Sequence, residues 1–225
     1  HLSIRRQRQM CIRDRLESTH QKIKEATHVL ITYGTSWVYQ EKKSGAVVAN
    51  CHKMPQTHFD KHILSVASIE SAIQNTVNAI RKLNPNCAFI YTISPVRHIK
   101  DGFVENQRSK SHLITALQNL LSDHLLDKAN YFPSYEIMMD ELRDYRFYGE
   151  DLLHPSTIAI DYIWQRFRAT AISETVSSTL DDIDGIQKSL LHKPFNPTSE
   201  SHQKFVTKLQ EKIAQVQARF PFIQF

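Results

Sequence analysis

Thr27-His-Val-Leu-Ile-Thr-Tyr33-Gly34 decides the fold class. An apolar run this short, closed by a glycine, predicts a buried strand of the continuous kind found in parallel sheets. Cys87-Ala-Phe-Ile-Tyr-Thr-Ile93, stopped by Ser94-Pro95, repeats the pattern. A weaker third strand is expected over Tyr131–Ile137, interrupted by Pro133, and a minor one over Val47–Ala49 after the turn at Lys43–Gly45. Helical periods fill the intervals. Ile69, Ile73, Val77 and Ile80 mark a helix over Ser65–Leu83. Leu113, Leu117, Leu120, Leu121 and Leu125 mark one over Asn106–Asp127. Ile160, Ile163, Trp164 and Phe167 share a face of one over Pro155–Ser178, whose proline suits a first turn. Strands alternating with long helices predict an α/β parallel sheet. Sites in such sheets form at the carboxyl ends of strands.

Beyond about residue 180 the pattern changes to a short helix, the turn His192–Pro197 and a helix over Thr198–Arg219, a C-terminal helical appendage over 180–225. The other end is anomalous. Residues 1–15 hold five Arg and one Asp and supply +4 of the formal +5, leaving 23 basic and 22 acidic residues in the remainder. They begin without Met and have no apolar signal core. The segment resembles translated sequencing-adapter read-through and is set aside from fold reasoning, leaving one domain over 16–179 ahead of the appendage. The rival reading is a basic arm for nucleic acid, but no partner motif follows it. On this view the alkaline pI is not functional and no nucleic-acid partner is expected. No apolar run approaches the ~20 residues of a membrane span. Three Cys without CxxC spacing and twelve scattered His without an HExxH pair predict neither metal nor disulfide framework, and a reducing, cytoplasmic setting. No cofactor motif is present.

Three segments fall just after strands or in a turn between elements: Gly34-Thr-Ser36, Ser94-Pro-Val-Arg97-His98, and Asp151-Leu-Leu-His154. In the last, a carboxylate three residues before an imidazole on one turn can orient the ring as a general base for a hydroxyl nucleophile. The plainer alternative is an Asp that caps the following helix. Gly34 permits close backbone approach and its loop offers N–H groups to an oxyanion; a plain strand-to-loop turn is the alternative. Ser36 is a weak nucleophile candidate, without a nucleophile-elbow pattern, and beside Gly34 a candidate oxyanion donor or substrate contact. Asn50-Cys51-His52-Lys53 is dense in chemistry. Asn50 and His52 are candidate substrate or oxyanion contacts, whereas Cys51 and His52, being adjacent, point apart in an extended segment. Arg97 or His98 is expected over the site as a substrate or oxyanion contact, with a solvated loop as the alternative.

Together these segments resemble the GSCFA family, a branch of the SGNH (GDSL-like) hydrolase superfamily. The resemblance rests on Tyr33-Gly-Thr-Ser-Trp-Val-Tyr39, Val48-Ala-Asn-Cys-His-Lys53, Thr92-Ile-Ser-Pro-Val-Arg-His98, Tyr131–Ile137, Tyr145–Tyr148, Asp151-Leu-Leu-His154-Pro, Asp161–Trp164 and the tail around His192–Pro197 with His202-Gln203. It implies a three-layer α/β/α sandwich and a Ser-His-Asp site acting on a small-molecule or carbohydrate ester. Asp151 and His154 fall on the superfamily's final D-x-x-H block, and Gly34-Thr-Ser36 looks like its G-x-N block with Ser36 in place of Asn. The Gly-Ser-Cys-Phe-Ala segment that names the family is absent. The nucleophile and its N-terminal strand are therefore expected upstream of Thr27, and the chain is expected to be a C-terminal fragment. A serine esterase or acyl transferase is the function implied. A non-catalytic α/β interaction module is the alternative.

Overall fold

The computed structural model describes residues 2–48, 51, 53–196 and 198–225. The chain divides into two compact units, His1–Ile163 and Trp164–Phe225. In the first, helix α1 (Leu2–Glu25) leads into strand β1 (His28–Tyr33), and a small antiparallel ribbon follows: β2 (Trp37–Glu41), β3 (Val47–Val48) and β4 (Phe59–Ile63). Then come α2 (Val66–Leu83), β5 (Ala88–Ile93), α3 (Phe103–Ser122) and β6 (Ala129–Phe132). A helical turn α4 (Ser134–Glu136) runs into a π-helical turn over Ile137–Glu141, and α5 (Thr157–Ala171) crosses the boundary between the units.

The sheet is parallel in the order β1-β5-β6, with Tyr33 beside Ile93 and Thr92 beside Phe132. Its main apolar cluster lies on one face. Phe89, Tyr91 and Ile93 alternate along β5 toward Ile69, Ile73 and Val77 of α2 and Leu113, Ala116, Leu117 and Leu120 of α3. Burying one such side chain contributes about 1.5–3 kcal/mol, so this layer dominates the unit's stability. Tyr33, Tyr91 and Phe89 stack in series across it, at 6.1 and 5.9 Å between ring centres. Ser65 caps α2, its Oγ accepting the Ser68 N–H. Asn84 ends α2 and donates through Nδ2 to the carbonyls of Ile23 and Ala26, fastening the end of α1.

Several expectations are corrected. β1 is not buried on both faces: Leu30 is 57% exposed, because β1 is a sheet edge and no described element covers that face there. The third strand is Ala129–Phe132 and stops at Pro133, which has no N–H for a ladder; Ser134–Ile137 is helical instead. α3 begins at Phe103 and ends at Ser122, leaving Leu125 outside the helix and exposed. Pro155 forms an antiparallel bridge with Tyr148, so the helix starts two residues later. It ends at Ala171, and Ile160 and Trp164 lie exposed while Ala159 is buried.

The second unit holds the rest of α5, helix α6 (Ser177–Leu190) and helix α7 (Glu200–Arg219). Ile186 and Val216 are its buried apolar residues, and Arg168 pairs with Asp181. His192, Phe195, His202 and Phe205 help line a cavity of about 470 Å³ before and along the start of α7. Among the described residues, no helix is long and apolar enough to cross a membrane.

Candidate active site

The turn at 149–154 is built by its own backbone. Gly149 N–H donates to the His154 carbonyl (2.8 Å) and Leu152 N–H to the Gly149 carbonyl (3.0 Å). Leu152 takes the left-handed conformation, φ 58°. That tightness sets the side-chain geometry. Asp151 Oδ1 accepts the N–H groups of Leu153 and His154, both at 2.9 Å, while Oδ2 faces His154 Nδ1 at 2.5 Å. The His154 backbone N–H, the His154 ring and the Leu153 N–H together hold the Asp151 carboxyl well below the usual carboxylate range. The carboxylate is thus the acceptor and Nδ1–H the donor, which leaves Nε2 as the basic nitrogen. Nε2 has no hydrogen-bond partner among the described residues, and the ring is solvent-exposed. Asp151 does not cap the following helix, which starts at Thr157 with Ser156 Oγ accepting the Ala159 N–H (3.5 Å); its two backbone acceptances lie within the turn, where it also faces the imidazole.

Arg97 and His98 connect this turn to the end of β1. Arg97 Nη2 donates to the Leu152 carbonyl (2.6 Å), and its guanidinium lies over the Tyr148 ring. The next residue, His98, sits against Gly34: a Cβ built there would meet His98 Nε2 at 3.2 Å. Burial, then the charge of Lys110, holds the His98 imidazole below its ordinary value. The three segments at the strand ends are therefore bridged by one dipeptide.

Ser36 is elsewhere. It is 1% exposed, its N–H donates to Ser109 Oγ (2.7 Å) and its hydroxyl bonds to the Ser109 carbonyl and Oγ. It is a buried structural link, not a group turned toward a substrate. Asn50 and His52 lie outside the described residues. Cys51 is a free, partly buried thiol. No described hydroxyl bonds to His154.

Sequence reasoning missed the polar face of α3. Asn106, Ser109 and Lys110 are all buried on the first two turns of that helix. Asn106 Oδ1 accepts the His98 N–H (2.8 Å), and Ser109 takes Ser36 and the Thr35 hydroxyl. Lys110 Nζ donates to the carbonyls of Gly34 (2.8 Å) and Ser94 (2.7 Å), at the ends of β1 and β5, and lies over the Tyr135 ring. Burial pushes the Lys110 ammonium down to about 8. The signal was present: a helix with Asn, Ser and Lys at i, i+3 and i+4, ahead of its apolar stripe, has a polar face aligned with its buried one.

Comparison with known proteins agrees on one family. The model of the GSCFA family matches residues 5–167, and that of the C-terminal domain of GSCFA domain proteins matches residues 183–225. No curated protein and no solved structure matches.

Proposed function

The chain belongs to the GSCFA family, and from that membership together with the Asp151–His154 pair we propose that it is the acid–base part of a serine ester hydrolase or acyl transferase of the SGNH type, on a three-layer α/β/α scaffold. The observation that carries the reading is the Nδ1–Oδ2 contact of 2.5 Å, made by a carboxylate that two backbone N–H groups also hold in place. In the reaction, a serine hydroxyl adds to the acyl carbonyl of an ester and His154 Nε2 takes its proton. Asp151 fixes the ring and stabilises the imidazolium. The C–O bond to the alcohol breaks as His154 returns the proton to the leaving oxygen. Water or an acceptor alcohol then repeats the sequence on the acyl-enzyme. The serine is not one of the hydroxyls described above. N–H groups of the Gly34 loop are the oxyanion donors, and Arg97 positions the 149–154 turn through Leu152.

The test is fluorophosphonate labelling of the protein expressed from its natural gene, with the adduct located by peptide mass spectrometry. A serine adduct that disappears in His154→Ala supports the reading. An adduct that survives His154→Ala, or hydrolysis that survives it, removes it. The other reading, a non-catalytic interaction module, is favoured by the exposure of His154 and the lack of a described hydroxyl beside it. It predicts no labelling and no hydrolysis from the natural gene product.

A further inference from the structure

Lys110 has an unusual position for a cation. It is fully buried, it has no carboxylate partner among the described residues, and its two acceptors are the carbonyls that end neighbouring strands. The ionisable groups around it are His98 from the loop after β5 and the Tyr135 phenol of α4. Asp101, which pairs with Lys61, acts on His98. A buried ammonium held on carbonyls does little for stability that an apolar side chain would not do, so its geometry calls for another account.

The Gly34 carbonyl supplies one. No peptide in the described chain is cis. In a planar trans peptide, the carbonyl and the next N–H point in opposite directions. With the Gly34 oxygen held on Lys110, the Thr35 N–H is directed away from α3. It has no acceptor among the described residues. Its neighbours are fixed on either side. The Tyr33 carbonyl accepts the Ser94 N–H at 2.9 Å, and the Ser36 N–H is taken by Ser109. One N–H is thus left free on a peptide clamped at both ends. Donation to its carbonyl from a cation polarises the amide and strengthens that N–H as a donor.

We propose that Lys110 is a positioning residue for the acyl-transfer site: its Nζ, bridging the Gly34 and Ser94 carbonyls, sets the Gly34–Thr35 peptide so that the Thr35 N–H meets the developing oxyanion. The inference rests on the ester-hydrolase reading for its chemistry, but its geometry is testable without turnover. Lys110 itself touches no reacting atom. It acts through the peptide, and Ser36, expected as a donor, is replaced in that role by its neighbour.

The experiment is a pH titration of the ¹⁵N-labelled 225-residue chain, following backbone amide shifts from pH 7 to pH 9.5. The Thr35 amide should move with a midpoint near 8, as Lys110 loses its proton, and this movement should vanish in Lys110→Met. A Thr35 amide that stays flat in the unmodified chain, which requires no variant to fold, overturns the inference. So does a titration that persists in Lys110→Met. In the protein from its natural gene, Lys110→Met should lower kcat on a short acyl ester by about ten- to a hundredfold with KM little changed. A loss confined to KM contradicts an oxyanion role. A flat Thr35 titration alongside activity that depends on His154 sinks the Lys110 inference alone. Activity indifferent to His154→Ala sinks the hydrolase reading, and with it the catalytic use of Thr35.

Discussion

Replacing Lys110 by Met should change how stability depends on pH, by an amount the structure sets. In the folded chain burial brings the ammonium down to about 8 from its ordinary 10.5. The unfolded chain therefore keeps a proton that the folded chain has released, over the interval from about 8 to about 10.5. Where the unfolded state binds more protons, stability rises with pH. At 1.36 kcal/mol per pKa unit, the rise from pH 7 to pH 10 is about 2.5 kcal/mol. Lys110→Met has no proton to release, so its stability gains nothing from this source. Burial also raises Tyr33, Tyr91 and Tyr131, but those phenols are common to both proteins and cancel in the difference. The variant leaves two carbonyls without a donor, a pH-independent offset of about 1–3 kcal/mol for each that stays unsatisfied. Urea unfolding of both proteins at pH 7, 8, 9 and 10 separates offset from slope. A stability difference that stays constant within about 0.5 kcal/mol across that range would refute the burial of a charged Lys110.

The 225-residue chain should hydrolyse a short acyl ester no faster than its surface histidines do, because no described hydroxyl lies on His154; robust turnover abolished by Ser36→Ala would show that the buried serine is the nucleophile after all. In the natural gene product, Asp151→Asn should lower kcat/KM by about 10³–10⁴, and His154→Ala should cost at least as much. Cys51→Ala should leave kcat/KM near normal, and a dead Cys51→Ala beside an active His154→Ala would replace the serine reading with a thiol one. Asp151, held below the usual carboxylate range, contributes stability above its unfolded value that is lost only as pH falls through its depressed folded value. Its ¹³C carboxyl shift should accordingly stay flat from pH 7 to about pH 3, whereas a midpoint near the ordinary 3.8 would show that the turn does not hold the carboxylate.

The elements legible in the sequence are those whose pattern is local. β1, β5 and α2 were bounded to within two residues, because their apolar periods face one contiguous core. β2 and β4 were not seen. Trp37–Glu41 and Phe59–Ile63 mix aromatic, charged and imidazole side chains, no residue of β2 is fully buried, and each strand is specified mainly by pairing with the other. α3 starts three residues before the expected Asn106, because Phe103 and Val104 of its first turn are exposed and extend no inward-facing apolar period. Asn106, Ser109 and Lys110 were missed as site scaffolding, since a buried lysine is read from a sequence as a surface one. Asp151-x-x-His154 was legible because an i, i+3 pair on a tight turn is close whatever the rest of the fold does.

The antiparallel ribbon leaves the strand-end loop and returns to it at almost the same point. Trp37 N–H donates to the Thr35 hydroxyl at its outgoing root, and at its return the Leu64 N–H donates to the Ser36 carbonyl at 2.9 Å. Ser36, in turn, is moored to α3 through Ser109. The ribbon is thus an excursion whose two feet share one mooring, and a pull on its far end at Glu41 and Phe59 is absorbed at Ser36 before reaching Gly34. Evolution can therefore reshape the outer ribbon while the Gly34 loop at its root stays where it is.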